Sequence, residues 1–242
     1  MFTFSQHTAA VTCLKWGGSG WIYSGSQDRT IKVWDSNNGK LIKSLVGHAH
    51  WINTMALNSD SVLRTGAFDE KEKKFSNAEE AHQYALERYK GCIGVKQPER
   101  LVSGSDDFTM ILWCAMDSKK PIARLTGHQA LVNQVCFSPD GRYIASASFD
   151  KSIKLWHGSS GQFITSLRGH VGPVYQVSWS FDSRLIVSGS KDSTMKVWDL
   201  KTRKLKVDLP GHLDEVYAVD WSPNGEKVAS GGKDKILKIW RE

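Results

Sequence analysis

No stretch of this 242-residue sequence approaches the ~18 consecutive apolar residues of a membrane span. The opening residues, MFTFSQHTAA, have neither the basic start nor the long apolar stretch of a signal peptide. Cysteine is scarce. The four present (Cys13, Cys92, Cys114, Cys136) show no CxxC or other metal-ligand spacing. They are expected to be free thiols of a soluble intracellular protein, and neither a metal nor a cofactor is expected. A unique nucleophile is also missing. His50, His82 and His157 lie outside every recurring pattern and lack ligand spacing, so no catalytic residue is expected.

What remains is ordinary for a globular chain: 40% hydrophobic and 24% charged residues, on a length that can bury a sizeable core. The net charge of +7 permits an acidic partner such as RNA without requiring one.

The informative feature is a repeat. SGSKDSTMKVWD begins at Ser188, and related stretches begin at Ser24, Ser103, Ser146 and Ser230. In each, an Asp follows the Ser by four residues (Asp28, Asp107, Asp150, Asp192, Asp234). A Trp follows that Asp by six (Trp34, Trp113, Trp156, Trp198, Trp240). A His lies upstream of each (His7, His48, His128, His170, His212), the last three being 42 residues apart. Ser, His and Asp together suggest a hydrolase, but a catalytic triad occurs once per active site. Five copies at a fixed period indicate architecture. A Trp ring buried in a strand must still satisfy its indole N–H, and a Ser hydroxyl can accept that bond.

Each unit reads as short β-rich runs split by turns: VYQVSWS alternates, LIVSGS and MKVWDL are strands, and SPDG (138–141) and SPNG (222–225) are turns. The expected fold is all-β, with repeats at about 4–35, 45–114, 125–157, 167–199 and 209–241. The second repeat is too long, since His48 and His128 are 80 residues apart. The excess lies at about 68–98, where helix formers run from about Ala78 to Tyr89 and Gly91 ends them. So short a helix needs a surface to dock on; a tethered, partly mobile loop is the other reading. The last unit stops after its third strand, and MFTF occupies the place of a fourth strand without its blade, so residues 2–5 could close a ring. The residue after each Trp (Cys114, His157, Arg241 where Asp is absent) is expected to be exposed. The Lys two before the Trp (Lys32, Lys154, Lys196, Lys238) is expected to pack its stem along the blade.

This period and signature resemble the WD-repeat family, whose fold is the β-propeller. The resemblance implies five four-stranded-type blades and a Trp–Ser–His–Asp hydrogen-bond network within each. In that family the residues flanking the first-strand valine, and the residue before the turn Asp, lie on the narrow face. The first set here is Trp51 and Asn53, Leu131 and Asn133, Pro173 and Tyr175, Glu215 and Tyr217; the second is Gln27, Asp106, Phe149, Lys191 and Lys233. From these, Trp51, Asn53, Leu131, Asn133, Phe149, Tyr175, Lys191, Tyr217 and Lys233 form the expected partner-binding face. Tyr175 and Tyr217 are equally well read as packing between blades.

The stretches GHAHWINTMAL (47–57), LRTGAFD (63–69), PERLVSGSDDFT (98–109) and LPGHLDEVYAVDWSPNGEKVASGGKDK (209–235) resemble, more narrowly, the Notchless family of large-ribosomal-subunit assembly factors. That implies a nuclear and nucleolar scaffold on pre-large-subunit ribosomal particles, meeting either ribosomal proteins or rRNA. It also implies an eight-bladed propeller of which this chain is the C-terminal five blades. In that family a midasin-type ATPase binds through a ubiquitin-like domain, which these residues do not contain. Another WD adaptor, such as a ubiquitin-ligase substrate receptor or signalling scaffold, is the alternative; no F-box-like element supports it.

Overall fold

The computed structural model describes residues 3–68, 73–93, 98–114 and 116–241. Strands β1 (Val11–Trp16), β2 (Trp21–Ser26), β3 (Thr30–Asp35) and β4 (Leu41–Val46) form the first antiparallel sheet. The second holds β5 (Ile52–Leu57), then, after helices α1 (Asp60–Thr65) and α2 (Ala78–Cys92), β6 (Leu101–Ser105), β7 (Met110–Trp113) and β8 (Pro121–Leu125). The third comprises β9 (Val132–Phe137), β10 (Tyr143–Ser148), β11 (Ser152–His157) and β12 (Phe163–Arg168). The fourth comprises β13 (Val174–Trp179), β14 (Leu185–Ser190), β15 (Thr194–Asp199) and β16 (Lys204–Pro210). The fifth has three strands: β17 (Val216–Trp221), β18 (Lys227–Gly232) and β19 (Leu237–Arg241).

Each sheet is one blade. First strands stand side by side around a central cavity of about 610 Å³, where Lys15, Gln134, Gln176 and Asp220 meet. In the second, third and fourth blades the second and third strands are buried on both faces because a neighbouring blade covers each side, whereas β19 of the fifth is largely exposed. Tyr23, Ile31 and Val33 of the first blade thus share a core with Ile52, Met55 and Leu57 of the second. Outer strands face solvent, and β16 is exposed along most of its length. A single blade could not bury such strands, so the fold is held by its junctions.

Three expectations from the sequence need correction. Cys114 is buried, and its thiol donates to Asp117 at 3.0 Å, whereas His157 and Arg241 are exposed. The helix runs past Gly91 to Cys92. Thr3, Phe4 and Ser5 form no strand; Phe4 lies edge-on to Trp34 of its own blade, with centroids 5.2 Å apart. Met1 and Phe2 of the proposed closing strand, and 69–72 and 94–97 of the insertion, lie outside the described residues.

α2 starts at a reciprocal cap. Asn77 accepts from the Glu80 backbone N–H at 2.8 Å, and Glu80 accepts from that of Ser76 at 2.9 Å. The helix docks through its last turns. Arg88 donates to Thr65 Oγ1 at 3.1 Å and to the Gly66 carbonyl at the end of α1. Tyr89 donates to Glu99 at 3.2 Å. Glu99 is buried and also accepts from Tyr23 Oη, Ser59 Oγ and the Gly18 backbone N–H at 2.9–3.0 Å.

Candidate partner-binding face and the network behind it

The five Ser-His-Asp sets are hydrogen-bonded chains. In the fourth blade, Trp198 Nε1–H donates to Ser188 Oγ at 2.8 Å. Ser188 meets His170 Nε2 at 2.8 Å, and His170 Nδ1 meets Asp192 at 2.9 Å. The same links join Trp34, Ser24, His7 and Asp28 in the first blade. They join Trp113, Ser103, His48 and Asp107 in the second, and Trp156, Ser146, His128 and Asp150 in the third. Trp240, Ser230, His212 and Asp234 repeat them in the fifth. All five serines are buried, and each hydroxyl oxygen already takes an indole N–H. The Asp also organises its turn: Asp192 accepts from Val171 N–H at 2.9 Å, and from Thr194 N–H at 3.0 Å and its hydroxyl at 2.6 Å. Lys154 and Lys196 pack their stems here, as expected, but their ammonium groups are held by Ser166 and Asp208, both at 2.8 Å.

These chains have a pH signature. Burial alone would raise the Asp192 pKa; the Thr194 hydroxyl, His170 and the backbone N–H of Val171 overcome it and hold it at about 2. Burial pushes His170 below its ordinary value, against the pull of Asp192. Both shifts favour the unfolded state as acid is added, because that state binds more protons. Stability should therefore begin to fall below about pH 6.5, as unfolded histidine protonates, and drop faster below about pH 4. Chemical denaturation from pH 7 to pH 3 tests this. Asp192→Ala should cost about 2 kcal/mol at pH 7 and show a shallower acid decline, since the missing carboxylate no longer titrates. A parallel decline would place the acid sensitivity elsewhere.

The network ends at one face of the molecule, and a backbone irregularity shapes that face. Every first strand skips one residue in its pairing with the second strand: Thr12, Asn53, Asn133, Tyr175 and Tyr217 have no partner in the register. A bulge re-aims the extra side chain out of the ladder. Beside each bulge, the residue before the turn Asp donates its backbone N–H to the chain entering the first strand. Examples are Phe149 to Leu131 at 3.1 Å, Lys191 to Pro173 at 2.9 Å and Lys233 to Glu215 at 2.8 Å. Gln27 and Asp106 bond likewise to Ala10 and Trp51.

The structure brings together part of the set expected from the sequence. Phe149 lies edge-on to Tyr175 at 5.6 Å, and Tyr175 lies 5.1 Å from Tyr217, so aromatics from three consecutive blades touch. Tyr175 Oη donates to Glu215 at 2.7 Å, and Lys233 pairs with Asp214 at 3.5 Å and Glu215 at 3.7 Å. Tyr175 is therefore fixed, partly buried packing, while Tyr217 remains 45% exposed. Lys191 is exposed beside them. Asn53 and Asn133 are tied to Asp106 and to the Tyr175 carbonyl, both at 2.6 Å. Leu131 is half-buried. Trp51, 45% exposed, packs on His50 at 5.3 Å in the second blade. Glu215 is the member the sequence undervalued; its place two before Tyr217 was visible, but its bond to Tyr175 on the preceding blade was not.

Among the described residues no group of three or more His, Cys, Asp or Glu side chains is arranged to hold a metal ion, and no helix is long and apolar enough to cross a membrane.

The family model described as "WD domain, G-beta repeat" matches residues 1–35, 119–157, 161–199 and 203–241. The chain is 59% identical over 168 residues to ribosome assembly protein 4 of Saccharomyces cerevisiae, covering 68% of this chain and 33% of that protein. It is 66% identical over 161 residues to the Notchless protein homolog of Arabidopsis thaliana, covering 66% and 34%. Protein Notchless of Drosophila melanogaster is 52% identical over 145 residues, covering 58% and 29%. The chain thus spans about a third of the length of these curated relatives.

Proposed function

We propose that this chain, which belongs to the WD-repeat family, is a non-catalytic interaction scaffold that acts in assembly of the large ribosomal subunit. The observation that carries the reading is the kinship at 52–66% identity with proteins named for ribosome assembly and with Notchless proteins. It favours pre-large-subunit particles over the targets of another WD adaptor. Nuclear and nucleolar residence goes with that work. Burial of every network serine supports a scaffold, since no substrate carbonyl can reach those hydroxyls.

The docking face is the aromatic run Phe149–Tyr175–Tyr217 with Lys191 and Lys233 at its side and Trp51 as an outlying anchor. Rigid, half-exposed aromatics on a fixed scaffold are what a partner buries at the centre of an interface. Binding to a midasin-type ATPase is not assigned to these residues.

Replacing Phe149 by Ala and Lys191 by Glu together should reduce co-purification with pre-large-subunit particles about tenfold, the loss of roughly 1.4 kcal/mol of contact. The melting temperature should stay near wild type, because neither side chain belongs to a blade core. Undiminished association in a folded double variant would move the docking site off this face, with α2 the next surface to test.

A further inference from the structure

The opposite end of the blades carries a second surface. Antiparallel strands put the first-to-second and third-to-fourth turns there, away from the Asp turns and the aromatic face. Between the third and fourth blades these turns enclose a groove of about 510 Å³. Five cationic side chains line it, Arg142, Arg184, Lys201, Arg203 and Lys206, against three carboxylates. The carboxylates are committed to their own turns. Asp140 accepts from Ser138 Oγ, the Arg142 backbone N–H and Arg142 Nε at 2.5–3.0 Å. Asp182 does the same with Ser180 and Arg184, and Asp199 accepts from Thr202 N–H at 2.7 Å. Each arginine is held by its Nε alone in these contacts, which steadies the guanidinium; Arg142 and Arg184 are 73% and 82% exposed.

The basic residues are not a constant of the repeat. The equivalent of Arg142 and Arg184 is Glu226 in the fifth blade. The turn after the third strand holds Gly39 in the first blade and Gly161 in the third, both at φ +71°. The fourth blade places Arg203 at that position, at φ +58°, with the same backbone bond back to the residue after the Trp. Glycine adopts this left-handed backbone freely and arginine does not. Arg29, Lys151 and Lys235 adopt a similar backbone in the Asp turns, so what sets Arg203 apart is a cation at a position that is glycine in the first and third blades.

An aromatic platform lies beside the cations. Tyr143, which lines the groove, stacks on Trp179 at 6.4 Å and on His157 at 6.2 Å. His157 is exposed at the outer end of this stack, where the first and fourth blades have Asp35 and Asp199.

We propose that this groove binds unpaired RNA, its phosphates along Arg142, Arg184, Lys201 and Arg203 and a base stacked on the His157 imidazole. Forked guanidiniums match phosphate oxygens, and an aromatic surface next to a basic track is the arrangement single strands use. An acidic protein segment would use the charge but not the stack.

The test measures anisotropy of a fluorescein-labelled, unstructured 12-mer RNA with the purified chain across a salt series, so it does not depend on ribosomal particles. Wild type should bind with a steep salt dependence. The triple variant R142Q/R184Q/R203G should bind at least tenfold more weakly, with a log–log salt slope shallower by about 2, from roughly 0.7 per lost phosphate contact. K191Q/K233Q, on the other face, should bind as wild type. Arg203→Gly alone should weaken binding while its melting temperature stays at or above wild type, which separates binding from folding. His157→Ala should weaken RNA binding but not binding of poly-glutamate of equal length. The proposal is overturned if the triple variant, folded, binds RNA like wild type, if poly-glutamate binds as tightly as RNA, or if K191Q/K233Q is the variant that fails.

Discussion

Replacing Glu99 by alanine is expected to destabilise the protein by about 3 kcal/mol and to release the inserted helix. The carboxylate is buried and accepts four hydrogen bonds, from Tyr23, Ser59, Tyr89 and the Gly18 backbone. Hydrogen bonds to a charged group contribute roughly 1.5–3 kcal/mol, and each buried donor left unpaired costs about 1–3 kcal/mol. The four donors come from the first blade, the turn into α1, and α2, so one side chain joins the insertion to two blades. Burial and the Glu99 charge push both tyrosines well above the ordinary phenol range, so they remain protonated donors at neutral pH. At roughly 2–4 °C per kcal/mol the melting temperature should fall by about 6–12 °C. Amide exchange in α2 should rise to that of an isolated helix, because α2 buries none of its residues fully and a free helix of 15 residues is marginal. Glu99→Gln, which keeps one acceptor oxygen, should lie between the two. An alanine variant with native melting and native protection of α2 would show that Arg88 alone docks the helix.

The 242-residue chain is also expected to associate head to tail with a second copy. Val11, Leu14 and Trp16 occupy the positions of Ile52, Met55 and Leu57 in β5 and of Val132, Val135 and Phe137 in β9, all of them buried. In β1 they are 48%, 63% and 63% exposed. At the other end Leu237 and Ile239 are 73% and 63% exposed, whereas their counterparts Met195 and Val197 are buried. These are the two halves of the junction that the chain makes four times internally, so one copy's β1 face fits another's β19 face. Fully burying one such side chain contributes roughly 1.5–3 kcal/mol. Open edges and a repeating, non-closing contact favour chains of molecules over a single dimer.

Sedimentation should show mass rising with concentration. L14D/W16D and L237D/I239D should each be monomeric alone and should form a one-to-one complex when mixed, since each retains one sound face. A wild-type chain that stays monomeric at high concentration, or singly blocked variants that still self-associate, would contradict this contact.

The repeat was legible in the sequence because its chemistry is local. Ser, Asp and Trp recur at fixed offsets within one hairpin, so the short strands and turns followed from spacing, and the network and the blade architecture from the family resemblance that this spacing carries. The start of α2 was legible for the same reason, in the helix formers that run from Ala78. Only the tertiary structure decided what depends on partners distant in the chain. Glu99 reads as one charged residue among many in PERLVSG, and its four donors come from three separate segments. The bulges that turn out Asn53, Tyr175 and Tyr217 leave no trace in composition, since they arise when two strands pair out of step. The spread of the aromatic face over three blades, with Trp51 outside it, was set by blade packing. So was the groove, which brings Arg142 of the third blade beside Arg184, Lys201, Arg203 and Lys206 of the fourth. A sequence specifies which groups can bond to near neighbours; which distant groups share a face depends on how the blades stack, and that is fixed only when their apolar junctions close.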